Sequence, residues 1–304
     1  MIRASIDLGT NTCLLLVSEW DEKSHSLRKI VSDHATVVRL GQGVDQNRVL
    51  HPDAMKRTLD CLKGYSKIVL DNGADPAQTI CVATSQARDA KNGSEFFEKV
   101  KKETGFRFRI ISGDEEARYT FLGALLPGMR ATDYSVIDIG GGSTEFMTES
   151  SGMSLDIGSV RFTERYLKSD PVTDQEFWAC QEAIDQVLQK AFPWREKLPK
   201  NLQLLAVAGT ATTLAAWFQG LEKFDPKVIE STTLTCGDVH RLVEELKWRS
   251  VAERQKLPGI EPGRADVLLA GALILWRSME VLRFADAKIS TRGLRFGIAE
   301  HLKA

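Results

Sequence analysis

The chain has 304 residues, 43% of them hydrophobic and 27% charged, with a formal net charge of −1. That length suits two domains with substantial cores, and the composition is that of an ordinary globular chain, which excludes wholesale disorder. The near-neutral balance argues against DNA or RNA wrapped broadly on the surface, so a polyanionic ligand would have to be met locally, by loops, helix N-termini, a few arginines and a metal. The longest apolar run, 267–276, falls far short of the roughly 20 residues that span a bilayer, so no membrane partner is expected and the run reads as a buried helix. Arg3 and Asp7 interrupt the apolar start, against a cleavable signal. Cys13, Cys61, Cys81, Cys180 and Cys236 include no CxxC pair, and their odd number suggests reduced thiols and a cytoplasmic location. The five histidines form no HxxxH or HExxH, against zinc.

In chain order, the first element is an apolar stretch carrying Ser5-Ile6-Asp7-Leu8-Gly9-Thr10-Asn11-Thr12 and then Leu14-Leu15-Leu16-Val17, which predicts a hairpin with a glycine at its tight turn. Residues 52–70 read as a helix, with Pro52 at the start and Met55, Leu59, Leu62 and Val69 on one face. Short strands are expected at 79–83 and 108–111, and a helix at 114–125 after Gly113. Pro127-Gly128-Met129-Arg130 is a turn and a natural boundary. It gives an N-terminal domain at 1–126 and a C-terminal one at 127–304, whose last helix would pack back on the first domain. Beyond it Val136-Ile137-Asp138-Ile139-Gly140-Gly141-Gly142-Ser143-Thr144-Glu145, followed by Phe146 and Met147, repeats the opening hairpin. The two aspartates, 7 and 138, stand 131 residues apart. A helix at 174–191, a strand at 204–208 running into Gly209-Thr210, a helix at 265–281 and a terminal helix complete the pattern. Two similar halves, each opening on a phosphate-type hairpin, predict a duplicated α/β fold with a cleft between the copies.

Four segments rich in small and hydroxyl residues stand at strand ends: 9–12, 83–88, 140–145 and 209–212. Phosphate needs such surroundings, because small residues let backbone N–H groups approach its oxygens and helix N-termini add positive potential. Candidate phosphate ligands are therefore Gly9, Thr10, Asn11, Thr12, Arg88, Gly140, Gly141, Gly142, Ser143, Thr144, Gly209 and Thr210. Asp7, Asp138 and Glu145 lie among them. Carboxylates beside phosphates repel unless a cation lies between, which points to Mg²⁺; alternatively the two aspartates cap their own turns. Glu115 and Glu116 open the helix after Ser112-Gly113-Asp114. Either complements the helix dipole or orients an attacking water, and the pattern does not choose between them. Arg88, Arg264 and Arg295 near loop or helix ends could fork a phosphate, or be solvated or weakly ion-paired. Lys197 and Lys200 could line a channel or be solvated. Cys13, next to the first loop, reads as a buried strand residue.

These motifs together resemble the exopolyphosphatase and guanosine pentaphosphate phosphohydrolase family. The matching blocks are Ile6 through Thr12, Arg39-Leu40-Gly41 with Gly43-Val44, Ala83-Thr84-Ser85 with Arg88 and Asn92, and Ile111-Ser112-Gly113-Asp114-Glu115-Glu116-Ala117-Arg118. Then come Val136 through Glu145, Gly158-Ser159-Val160-Arg161, Gly209-Thr210, Pro258-Gly259 with Arg264-Ala265-Asp266, and Ser290-Thr291-Arg292-Gly293-Leu294-Arg295. The resemblance implies two actin-like, ribonuclease-H-type domains flanking a central cleft. It implies Mg²⁺-assisted release of terminal phosphate from inorganic polyphosphate, or from guanosine pentaphosphate in the stringent response. It places the catalytic base on Glu116, metal and water placement on Asp138 and Glu145, and phosphate binding on Arg88. A homodimer is plausible on the same ground. Two features depart from the family pattern: Phe296 stands where the last motif commonly has glutamate, and no His-Asp dipeptide of the longer members occurs, which resembles the short two-domain form. Two other readings are an actin-like ATPase or small-molecule kinase, which the Glu-Glu-Ala and Ser-Thr-Arg-Gly-Leu-Arg blocks oppose, and a non-enzymatic alarmone-binding regulator.

Overall fold

The computed structural model describes residues 1–21 and 26–302; Lys303 and Ala304, the end of the expected second domain, lie outside the described residues. The chain divides into two compact units, Met1–Gly123 with Gly293–Ala304, and Ala124–Arg292.

The first unit is built on β1 (Ile2–Leu8), β2 (Thr12–Asp21), β3 (Ser26–Val37), β4 (Ile80–Ala83) and β5 (Phe108–Ile110), in the order β3-β2-β1-β4-β5. The first three strands form an antiparallel meander, whereas β4 pairs parallel with both β1 and β5. Parallel pairing needs a long crossover, supplied by the helices Pro52–Asp71 and Gly93–Thr104. Side chains alternate across a strand, and both faces of the central strands are covered. Ile6, Leu8, Cys81 and Ala83 join the core beneath helix Pro52–Asp71. Ile80 and Val82 pack with Leu294 and Ile298 of helix Leu294–His301. Ser5, on that second face of β1, donates to the Arg295 carbonyl at 2.8 Å. Phe296 is a core residue beside Leu16 and Ala299.

The second unit repeats the plan. Its strands are β6 (Tyr134–Ile139), β7 (Thr144–Met147), β8 (Gly152–Leu155), β9 (Gln203–Val207), β10 (Thr233–Thr235) and β11 (Asp286–Ile289), in the order β10-β11-β9-β6-β7-β8. Strands β8-β7-β6-β9-β11 match β3-β2-β1-β4-β5 in order and direction, and β10 is an added antiparallel edge. This is the duplicated, actin-like α/β architecture. The apolar run expected as a buried helix lies mostly in helix Leu268–Val281, buried along most of its length in the core of this unit. Among the described residues no helix is long and apolar enough to cross a membrane.

Several elements differ from expectation for local reasons. Strand β3, twelve residues long and not anticipated, lies at a sheet edge, where polar side chains blunt the pairing surface and erase the apolar alternation. The helix expected from 265 begins at Leu268, after a 3₁₀ turn at Pro262–Arg264. The helix expected to 191 is α-helical to Leu188 and continues as a 3₁₀ turn. The strand expected through 208 ends at Val207, because Ala208 turns left-handed, with φ 66°, and opens helix Ala208–Phe218. A Cβ in that region is unfavourable by roughly 1–2 kcal/mol, part of which glycine's greater freedom in the unfolded chain offsets. Ala208→Gly is therefore expected to stabilise the protein by up to about 1 kcal/mol, read as a higher denaturant midpoint at unchanged slope.

Candidate active site

The two hairpins are closed by the same hydrogen bond at equivalent positions. In the first, the Gly9 amide donates to the Thr12 carbonyl at 2.9 Å; in the second, the Gly140 amide donates to the Ser143 carbonyl at 3.0 Å. Each closes a four-residue turn between paired strand ends, Leu8 opposite Cys13 and Ile139 opposite Thr144.

The carbonyls inside each turn are held by neighbouring backbone. Asn11 accepts from the Val38 and Arg39 amides, and Thr10 from the Gly41 amide, all at 2.9 Å. Gly140 accepts from the Ser159 amide, and Gly141 from those of Val160 and Arg161, at 2.9–3.0 Å. In a trans peptide the C=O and the following N–H point in opposite directions. The Asn11 and Thr12 amides, and those of Gly141 and Gly142, are thus turned away from the segments that hold the carbonyls. Successive outward amides form an anion-binding concavity. Two hydroxyls expected to meet phosphate are engaged inside the protein: Thr10 donates to Gln86 Oε1 at 2.7 Å and Thr144 to the Ile157 carbonyl at 2.7 Å. Gln86, which sequence reasoning missed, also donates to the Leu8 carbonyl at 3.1 Å and so ties the first turn to the 83–88 segment. Nothing in its sequence neighbourhood signals that role.

On the ladder of the second hairpin Asp138 stands directly opposite Glu145. Side chains at such positions share a face, with Cβ atoms about 4.5–5.5 Å apart, and like charges there are destabilising. Glu145 is only 1% exposed, and its Oε1 accepts from the Ser154 hydroxyl at 2.6 Å. In the first hairpin the residue opposite Asp7 is Leu14, so the carboxylate pair belongs to the second copy alone. Among the described residues no group of three or more His, Cys, Asp or Glu side chains is arranged to hold a metal. A pair of hard oxygen donors fits Mg²⁺, which characteristically takes one or two carboxylates and fills its octahedron with waters and substrate phosphate oxygens.

The structure separates the two glutamates that the sequence left equivalent. Glu115 belongs to the start of helix Gly113–Ala124: its carboxylate accepts from the Ser112 amide at 3.1 Å, its own amide donates to the Ser112 hydroxyl at 3.2 Å, and it pairs with Arg109. That is a capping box, and the Ser-x-x-Glu spacing was the signal for it. Glu116 is 8% exposed. It is paired at 2.8 Å with Arg88, which also donates to the Ile111 carbonyl. Burial pushes its carboxyl above the ordinary range, while Arg88 and the Thr84 hydroxyl pull it back. The folded state therefore favours the protonated form. Its contribution to stability is complete below the ordinary glutamate pKa and is lost as pH rises through the raised value. A base must be ionised to work, so kcat/KM is expected to fall as pH drops through that raised value. Arg88→Met removes a lowering influence and should move the acid limb to still higher pH, read from pH profiles of phosphate release.

In the second unit Gly209 and Thr210 lie at the start of helix Ala208–Phe218. A Cβ added to Gly209 would lie 1.5 Å from an Arg264 guanidinium nitrogen, so the arginine rests on this turn. Its Nε donates to Glu261 at 2.8 Å. Arg295 is different: both prongs of its fork bind Asp33, each at 2.9 Å, so it takes the ion-pair alternative. Cys13 is fully buried in β2, and burial pushes its thiol up. Lys197 and Lys200 are exposed.

The model of the Ppx/GppA phosphatase family matches residues 17–302. The chain belongs to this family. It is 33% identical over 295 residues to exopolyphosphatase 2 of Mycobacterium tuberculosis, covering 92% of this chain and 90% of that protein. It is 34% identical over 283 residues to a bifunctional 3-dehydroquinate synthase/phosphatase of Fusobacterium nucleatum, covering 90% of this chain but only 42% of that relative. Among solved structures, an exopolyphosphatase from Cytophaga hutchinsonii superposes with a TM-score of 0.86 at 26% identity, over 98% of this chain and 96% of that one. The family is one of phosphatases.

Proposed function

We propose that this protein is an exopolyphosphatase, hydrolysing the terminal phosphoanhydride of inorganic polyphosphate to orthophosphate. What carries the reading is the similarity to exopolyphosphatase 2 over nine-tenths of both chains. The outward amides of the two turns, the buried Glu116 and the facing Asp138 and Glu145 support it. Glu116 takes the proton of the attacking water. The water oxygen bonds to the terminal phosphorus in line with the bridging oxygen, whose bond to that phosphorus breaks, and the shortened chain departs with that oxygen. In each unit the groups suited to hold and neutralise phosphoryl oxygens are turn amides, those of 9–12 with Arg88 in the first and those of 140–144 with the 209–210 turn in the second. Asp138 and Glu145 would hold Mg²⁺, which when bound supplies positive charge between protein carboxylates and substrate phosphates. Asp7 is assigned to the metal as the carboxylate beside the first phosphate-type loop and the counterpart of Asp138. No protein nucleophile is needed. The five free thiols suit a cytoplasmic setting.

The test is orthophosphate release by the purified protein with Mg²⁺, from long-chain polyphosphate and guanosine pentaphosphate in parallel. Preferential turnover of polyphosphate is expected. Preference for the nucleotide would move the protein to alarmone turnover, and release from neither would sink the hydrolase reading.

A further inference from the structure

In each unit the segment that follows the third strand of the meander runs back against the phosphate-type turn. After β3 it is Val38-Arg39-Leu40-Gly41, and after β8 it is Gly158-Ser159-Val160-Arg161. Both supply amides to the carbonyls of the turn. Both also contain a glycine where no side chain fits. A Cβ on Gly41 would lie 2.2 Å from Thr10 Cγ2, and one on Gly158 would lie 2.4 Å from the Gly141 carbonyl oxygen. The same device thus appears twice, built from unrelated residues.

The second copy goes further. Besides the backbone bonds to Gly140 and Gly141, the Arg161 side chain donates from Nε to the Gly142 carbonyl at 2.7 Å. All three glycine carbonyls of the turn are then fixed on one side. Three consecutive glycines have the widest backbone freedom of any tripeptide. Left unheld, they would place their amides in many directions. Arg161 is buried, on helix Ser159–Tyr166, and its Nε is the side-chain group that reaches the last of the three carbonyls. Fixing the Gly142 carbonyl also fixes the Ser143 amide, which belongs to the same peptide unit.

We infer that Arg161 is a positioning residue for phosphate: by holding the Gly142 carbonyl it orients the turn's amides toward the anion, without touching the anion itself. This rests on reading 140–144 as a phosphate loop. Pre-orienting donors lowers the cost of binding, so the effect belongs to anion affinity more than to the chemical step.

The test uses inorganic orthophosphate as the probe, with its binding to the full chain followed by calorimetry. KM and kcat for polyphosphate and the thermal midpoint are measured alongside. Arg161→Met keeps the length of the side chain and removes the donor. It should weaken orthophosphate binding and raise KM together by about tenfold, the worth of one good hydrogen bond, with a much smaller change in kcat. Arg161→Lys can still donate to the carbonyl and should recover part of the affinity, and it serves alone if the Met variant fails to fold. Wild-type affinity in Arg161→Met, or loss of affinity in Arg161→Lys that only tracks a lowered thermal midpoint, overturns the positioning role. Failure of the wild-type protein to bind orthophosphate overturns the phosphate-loop reading instead, so the two failures are distinguishable.

Discussion

Glu116→Gln is expected to lower phosphate release by about 10²–10⁴-fold, the usual contribution of a positioned general base, while the protein stays folded and binds orthophosphate as before. Glutamine keeps the size of the side chain and an acceptor for Arg88, so the 2.8 Å contact survives. What it loses is the capacity to take a proton. The neighbouring Glu115→Gln serves as the contrast. Glu115 accepts from the Ser112 amide at the head of the helix, and its loss weakens a cap at a cost of about 1 kcal/mol of stability with little change in turnover per folded molecule. Steady-state rates and thermal midpoints for both variants read the difference. A Glu116→Gln protein that turned over at the wild-type rate would remove Glu116 from the mechanism.

The largest expected effect on stability comes from Gly297→Ala. Helix Leu294–His301 meets helix Gly113–Ala124, which carries Glu116, through a pair of glycines. A Cβ on Gly297 would lie 1.8 Å from the Tyr119 carbonyl oxygen, and one on Gly123 would lie 2.2 Å from that of Gly293. The obstructing atoms are backbone, so no rotamer change relieves them and one helix must move off the other. Overpacking of this kind costs roughly 1–3 kcal/mol and occasionally more. Because the shift would also loosen Leu294 and Ile298 from Ile80 and Val82, about 3 kcal/mol is expected, or a midpoint lowered by roughly 6–12 °C. An alanine variant melting within a degree or two of wild type would show that the two helices have room to spare. Gly64, whose added Cβ would meet nothing, is the control, since Gly64→Ala in mid-helix should be neutral or stabilising.

Much of this was legible in the chain because it is local and repeated. The 131-residue spacing carries over from Asp7 and Asp138 to Gly9 and Gly140, and to the paired turn residues Thr12 and Ser143. It also brings Glu145 onto Leu14, which marks the second copy as the one with the acidic pair. Helix Pro52–Asp71 followed from its apolar face and its proline start. What was not legible depends on partners distant in sequence. Glu116 and Glu115 are adjacent and alike; the Ser-x-x-Glu spacing hints at the cap on Glu115, but the burial of Glu116 and its pairing with Arg88 depend on the fold. Arg295 stands in a motif as suggestive as Arg88, yet Asp33, 262 residues away, occupies it. Gly41 and Gly158 look like ordinary turn glycines until their neighbours are seen, the Thr10 side chain against the first and the Gly141 backbone against the second. The long edge strand β3 was hidden by polar composition, since an edge needs no apolar period.

Hydrolysis of terminally intact polyphosphate in water enriched with ¹⁸O, with mass analysis of both products, is the most direct check on the central claim. Attack by water at the terminal phosphorus predicts one solvent oxygen in each released orthophosphate and none in the shortened chain. Label in the remaining chain, or orthophosphate that carries no solvent oxygen, would contradict end-directed water attack.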